Sequence, residues 1–173
     1  MKVLFLDFDG VLNSNQSATF WHNKRDQSKW ESEMYQGWAG TLKEYVAMEF
    51  CPIALSNMEE LMRRVPDLKI VVSSTWRIGE TVESLKKILA PAPLVANAII
   101  STTPVNKNRG ARGLEIQAWL DKHPDVENFV IVDDDSDMEH LSESLVHTSS
   151  LHGFQFADIL WAQRILGEGG LHG

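Results

Sequence analysis

The chain has one cysteine in 173 residues, Cys51. A single thiol excludes an intrachain disulfide and a cysteine zinc cluster, and it fits a reducing, cytosolic compartment. Basic residues are also scarce: 16 Lys and Arg against 24 Asp and Glu leave a net charge of −8. Proteins that grip a polyanion along its length usually carry the opposite surplus, so extended nucleic-acid binding is disfavoured. No apolar run approaches the ~20 residues of a membrane span. The opening Met1-Lys2-Val3 enters a strand-like run directly and lacks a secretory cleavage pattern. Internal repeats and low-complexity tracts are missing too. With 43% hydrophobic residues, the chain reads as a single domain, 1–173, with enough interior for a core.

What is present is a set of apolar runs that end in polar residues. Val3-Leu4-Phe5-Leu6 runs into Asp7-Phe8-Asp9-Gly10. Alternation along a strand lets Asp7 and Asp9 lean toward one space. Two such carboxylates repel, and they call for a proton or a hard cation such as Mg²⁺ between them. The plainer alternative is an acidic turn in which Gly10 supplies only backbone freedom. A second run, Leu68 to Val72, ends in Ser73-Ser74-Thr75-Trp76-Arg77. One hydroxyl suffices for a helix cap. Three in a row, followed by the Arg77 fork, make an anion site with Ser74 and Arg77 as candidate substrate contacts.

The third stretch, Lys107-Asn108-Arg109-Gly110-Ala111-Arg112-Gly113, precedes a helical pattern through Leu114, Ile116, Trp119 and Leu120. Cations at a helix start oppose the helix dipole, so an anion nearby would account for them, although a solvated basic loop is the plain alternative. The fourth run, Asn128 to Val132, ends in Asp133-Asp134-Asp135-Ser136-Asp137. So much like charge needs solvent or a cation. An EF-hand calcium loop would need alternating acids, a central glycine and a closing glutamate, which this stretch lacks. Its place after a strand suits a site at the carboxyl edge of a parallel sheet. The six histidines are scattered, and His140 and His147 read as surface residues.

In order and character, these four stretches resemble the haloacid dehalogenase (HAD) superfamily of phosphohydrolases. More narrowly, Ser74-Thr75-Trp76-Arg77, Arg112-Gly113-Leu114-Glu115-Ile116 and Val132-Asp133-Asp134-Asp135 are similar to compact HAD domains that occur alone or in RNA-repair proteins. The phosphatase half of polynucleotide kinase-phosphatases is the next ring out. The resemblance implies Asp7 as nucleophile through an aspartyl-phosphate, and Asp9 as general acid and then base. It implies Ser73 on the transferring phosphoryl group and Arg112 as its cation, with Arg109 or Lys107 as alternatives. It also implies Mg²⁺ held by Asp7, the Asp9 carbonyl and Asp134 or Asp133, with Asp133 and Asp137 orienting its waters. Gly10 and Arg109 join the substrate-binding set.

The fold expectation is α/β: a three-layer, Rossmann-like HAD fold, with a parallel sheet between helices on both faces. Strands are expected near 2–7, 69–73, 95–100, 128–133 and 145–149. Helices are expected near 53–65, 79–90, 112–122, 137–144 and 154–166, with Pro91-Ala92-Pro93 as a stop, Gly167 as a cap and a frayed tail beyond it. A flap or small cap is expected at about 13–50. There Phe20, Trp21, Trp30, Tyr35 and Trp38 mingle with Lys24, Arg25 and Lys29. Those aromatics either build the cap's own core or stack a nucleobase, which is worth roughly 1–3 kcal/mol per base.

The partner expected is a phosphorylated small molecule, a nucleotide or a nucleic-acid end gripped only at its terminal nucleotide. A carbon–halogen hydrolase of this fold would not need Asp9 or the Asp133–Asp137 acids. A receiver-type signalling domain would place an isolated acceptor aspartate on a middle strand, which this chain lacks. A silent binding domain would leave the full set of catalytic carboxylates unexplained.

Overall fold

A computed structural model describes residues 1–24, 50–106 and 111–168. Five strands make one parallel sheet: β1 (Lys2–Leu6), β2 (Lys69–Val72), β3 (Ile99–Thr102), β4 (Asn128–Asp133) and β5 (Leu145–His147). Their order across the sheet is β3-β2-β1-β4-β5. Central parallel strands are covered on both faces, which is why β1 and β2 read as unbroken apolar runs instead of alternating ones. Leu4 lies opposite Ile70 on one side and Val130 on the other.

The helices among the described residues are α1 (Asn15–Lys24), α2 (Pro52–Arg64), α3 (Val82–Ile88), α4 (Pro93–Ala98), α5 (Arg112–Leu120) and α6 (Phe156–Ile165). Two 3₁₀ turns cover Thr75–Arg77 and Glu139–Ser144. Local chemistry explains their limits. Pro52 opens α2 where its missing N–H costs nothing, and Arg63 and Arg64 close it at the negative end of the dipole. Thr81 and Ser84 form a reciprocal capping box that starts α3.

The two sheet faces build two cores. Leu4, Leu6, Ile70, Val72, Val130 and Val132 face a large cluster filled from α2, α3, α4 and α6. Val3, Phe5, Val71 and Ile131 point the other way, against Ile116 and Trp119 of α5 and Met138 and Leu141 of the second 3₁₀ segment. Trp119 packs edge-on against Phe5 at 5.5 Å between ring centres, and its indole N–H donates to Ser101 Oγ at 3.1 Å. This is the three-layer α/β arrangement expected, a parallel sheet covered on both faces.

Several boundaries differ from expectation. The strand expected at 95–100 runs from Ile99 to Thr102, because α4 occupies Pro93–Ala98. Pro93 is the first residue of a helix, since a fixed φ suits that position, while the preceding helix already ends at Ile88. The helix expected at 79–90 is shortened by the Thr81 cap, and the 137–144 segment is a 3₁₀ turn. Gly167 (φ 74°) closes α6, with Glu168 N–H reaching Gln163 O at 2.8 Å. Of the expected insert at 13–50, α1 is described; Trp30, Tyr35, Trp38, Arg25 and Lys29 lie outside the described residues, as do Lys107, Arg109 and the tail from 169. Among the described residues no helix is long and apolar enough to cross a membrane.

The strand order places a topological switch at β1 and β4, whose connections leave the sheet in opposite directions. In such sheets the crevice beyond the carboxyl ends at that point is the usual ligand site.

Candidate active site

Four of the five strands hand their next residue to a neighbour by one more ladder bond. Asp7 N–H donates to Val132 O, Ser73 N–H to Leu6 O and Thr103 N–H to Val72 O, all at 3.0 Å, and Thr148 N–H donates to Asp133 O at 2.9 Å. The residues just past the sheet are therefore as fixed as the sheet itself. Asp7 is 4% exposed, while Asp133 and Ser73 are fully buried.

Carboxylate oxygens of Asp7, Asp133 and Asp134 lie within 4.8 Å of one another. Burial pushes Asp7 up to about 6, against the opposing pull of Arg112. Burial, reinforced by the Asp7 charge, pushes Asp133 up to about 8. Asp134, half-buried, is raised by burial and then by Asp135. Three oxygen donors that resist ionisation without a partner are the donor set a hard divalent cation prefers. Asp133 Oδ2 adds to this: it is buried and has no directed hydrogen bond among the described residues, although Arg112 Nε stands 2.9 Å away as an ion-pair partner. The residues present fit Mg²⁺.

A pH prediction follows. Asp133 has a folded-state value above the unfolded value of about 3.9. Between those values the folded form holds more protons than the unfolded one, so stability falls as pH rises. Metal-free protein is expected to melt at a lower temperature at pH 8 than at pH 5, and Mg²⁺ to restore most of the loss at pH 8. Thermal melts at both pH values, with and without Mg²⁺, check it; a melting temperature that rises with pH in the metal-free protein would contradict it.

Arg112 opens α5 and bridges the acids. Its Nη1 is 3.1 Å from Asp7 Oδ1 and also donates to Ser73 O. Burial alone would lower its proton affinity, but Asp7, Asp133, Asp137 and Asp135 outweigh it. Of the two Arg-Gly pairs, Arg112-Gly113 lies at the site, and Arg109-Gly110 falls outside the described residues. A Cβ on Gly113 would come within 2.3 Å of Met138 O, so only glycine lets this turn dock there. Asp137 packs at the start of α5, where its Oδ2 accepts Arg112 N–H at 3.0 Å.

Gly10 has a defined job. Its φ of 69° is left-handed, and an added Cβ would land 2.1 Å from Asp134 Cγ. Gly10→Ala is therefore expected to displace the Asp134 carboxylate and weaken Mg²⁺ binding by roughly 10–100-fold, as loss of a supporting contact does at other metal sites. Isothermal titration with Mg²⁺ reads it; unchanged affinity in a folded variant would refute that role.

Asp9 is exposed, and its carboxylate stands outside the Asp7–Asp133–Asp134 trio. Trp76 Nε1 donates to its Oδ2 and Asn13 Nδ2 to its Oδ1, both at 2.9 Å. Trp76 itself sits in an aromatic cluster with Phe8 and Phe50. Ser74 hydrogen-bonds Asp7, and its hydroxyl also accepts Trp76 N–H at 3.3 Å. Ser73 Oγ is buried with no hydrogen-bond partner among the described residues. Arg77 turns inward, with its side chain 3% exposed and engaged by loop carbonyls and Glu115.

Sequence alone assigns no role to Thr148 or Asn13, nor to Trp76 and Glu115 beyond their place in the motifs. Thr148 Oγ1 donates to Gly10 O at 3.0 Å while its N–H holds Asp133 O, so one residue ties both acidic loops together. His147, expected as a surface residue, is exposed and also bonds Asp134 O at 2.8 Å through Nε2. The one advance signal was position, since His147 ends β5 and Thr148 directly follows it.

A family model described as "HAD domain in Swiss Army Knife RNA repair proteins" matches residues 3–159. No curated protein and no solved structure gives a significant match.

Proposed function

We propose that this chain, which belongs to the HAD domains of Swiss Army Knife RNA repair proteins, is a Mg²⁺-dependent phosphomonoesterase acting on a nucleotide or on the phosphorylated end of a nucleic acid. The observation that carries this reading is the convergence of Asp7, Arg112, Asp133 and Asp134 at the switch point of the sheet. In this reading Asp7, Asp133, Asp134 and the Asp9 carbonyl hold the metal, which supplies charge neutralisation on the phosphoryl oxygens when bound. Cytosolic placement and a cap formed by residues 13–50 belong to the same proposal.

Asp7 Oδ attacks phosphorus while the ester oxygen departs with a proton from Asp9, leaving an aspartyl-phosphate on Asp7. Water then attacks that phosphorus, Asp9 takes the water's proton, and phosphate and free Asp7 result. Trp76 and Asn13 hold Asp9 at the rim, where it meets both the leaving group and water. Arg112 is already within 3.1 Å of Asp7 Oδ1, where charge on the transferring group must be balanced. Ser73 Oγ, buried and without a partner among the described residues, has a donor to spare for that group.

Net charge argues for a small footprint. At −8 the protein repels a long polyanion, so one terminal nucleotide at the site, with any remaining strand in solvent, suits both charge and family. The test is phosphate release from nucleoside 3′- and 5′-monophosphates, end-phosphorylated oligonucleotides and small sugar phosphates, with and without Mg²⁺. Mg²⁺-dependent release from the nucleotide substrates is the expected result. Release confined to the sugar phosphates would move the substrate to small metabolites, and metal binding without any release would leave a silent binding domain.

A further inference from the structure

Every donor of the Arg77 guanidinium is taken. Nε donates to Thr103 O at 3.0 Å, and Nη1 to Ser73 O and Ser74 O at 2.8 Å each. Nη2 donates to Pro104 O at 3.1 Å and to Glu115 Oε2 at 2.5 Å. Arginine has five N–H donors in a rigid fork, and here five acceptors match them. Glu115 spends its other oxygen on Asn106 N–H at 2.7 Å. The pair therefore joins the loop after β2, the loop after β3 and the first turns of α5.

Two of those connections run to Arg112. Glu115 stands three residues after it on α5, the spacing that puts side chains on adjoining faces of one helix. The Ser73 carbonyl accepts from Arg77 Nη1 and from Arg112 Nη1 alike. Stability alone is a poor reason for such a pair, because a buried ion pair is often no better than apolar residues of the same volume. Geometry is a better one. A single-point cation would leave several of the four carbonyls without a donor, whereas the planar fork fixes all four relative to one another.

We propose that Arg77 and Glu115 are positioning residues for the phosphoryl site: through the Ser73 carbonyl and the first turns of α5 they set the distance between Arg112 and Asp7. This rests on the reading of Arg112 as the cation that meets the phosphoryl group. It also replaces the simpler expectation that Arg77 touches the substrate, which would require breaking one of its five bonds.

A double-mutant cycle tests it on the Mg²⁺-loaded protein. Arg77→Lys is made in the wild-type and Arg112→Ala backgrounds, and kcat, KM and the inhibition constant of inorganic phosphate are measured with melting temperature as a fold control. A misplaced group near the reacting centre costs on the order of 10²-fold in kcat/KM, and that is the loss expected in the wild-type background. With Arg112 already gone, the same change is expected to cost less than about twofold. Equal losses in both backgrounds would overturn the inference and leave Arg77 a merely structural residue. So would no loss at all in a folded Arg77→Lys protein. Should that variant fail to fold, Glu115→Gln runs the same cycle, since it keeps an oxygen for Asn106 N–H and puts an amide N–H₂ where Oε2 accepted from Arg77 Nη2. A wild-type protein with no Mg²⁺-dependent release would fail the phosphatase reading itself, whereas an active one with additive losses fails the positioning role alone.

Discussion

Asp7→Asn is expected to abolish phosphate release, with a loss on the order of 10⁴-fold or more, the scale seen when a covalent nucleophile is removed. The substitution is nearly isosteric, so the fold should survive it. Asp7 is buried against Arg112 and raised to about 6 by that burial, and the neutral amide removes a charge that the site was already reluctant to hold. The metal-free variant should therefore melt no lower than the wild type at pH 8. Lost activity with retained stability would separate a chemical role for Asp7 from a structural one. A folded Asp7→Asn protein with a tenth of wild-type activity would contradict the assignment.

Arg112→Ala carries the second large effect, and it acts in two ways. Removing a donor aimed at developing charge costs roughly 10²–10³-fold in kcat. Removing the partner of buried carboxylates destabilises as well, by roughly 3–5 kcal/mol when the charges left behind stay ionised. Here Asp7 and Asp133 can protonate instead, so the stability loss should be larger at pH 8 than at pH 5. Arg112→Lys should restore little. Arg112 meets Asp7 through Nη1 and Asp133 through Nε, two contacts from one plane that a single ammonium does not reproduce. Steady-state kinetics and melts at both pH values measure this. Near-wild-type kcat in a folded Arg112→Ala protein would shift the role of cation to the 107–110 stretch.

The parts of the fold visible in the sequence were those written in composition. β-Branched and apolar runs at Val3–Leu6, Ile70–Val72 and Val130–Val132 become central strands because burial on both faces admits little else. The acids and hydroxyls that end those runs mark the carboxyl edge of the sheet, so the neighbourhood of Asp7, Ser73, Arg112, Asp133 and Asp134 could be anticipated. Partners are another matter. That Trp76 would bond Asp9 across 67 residues, or Glu115 pair with Arg77 across 38, depends on how the loops fold back, and no local pattern encodes it. Arg77 shows the limit well. An arginine after a strand-end serine suggests an anion, yet its surroundings supply five oxygens from the protein itself. Likewise Gly10 looked like a turn residue, and its closest constraint proved to be the Asp134 side chain from another strand's loop.

The most direct measurement is acid quenching of the Mg²⁺-loaded enzyme during turnover of its best substrate, followed by mass analysis of the peptide carrying Asp7. The mechanism requires a phosphoryl increment on Asp7 that forms within one turnover, decays with the rate of phosphate release and is absent from Asp7→Asn. Turnover that continues in Asp7→Asn, or a wild-type enzyme that releases phosphate while a different residue carries the phosphoryl group, would contradict it.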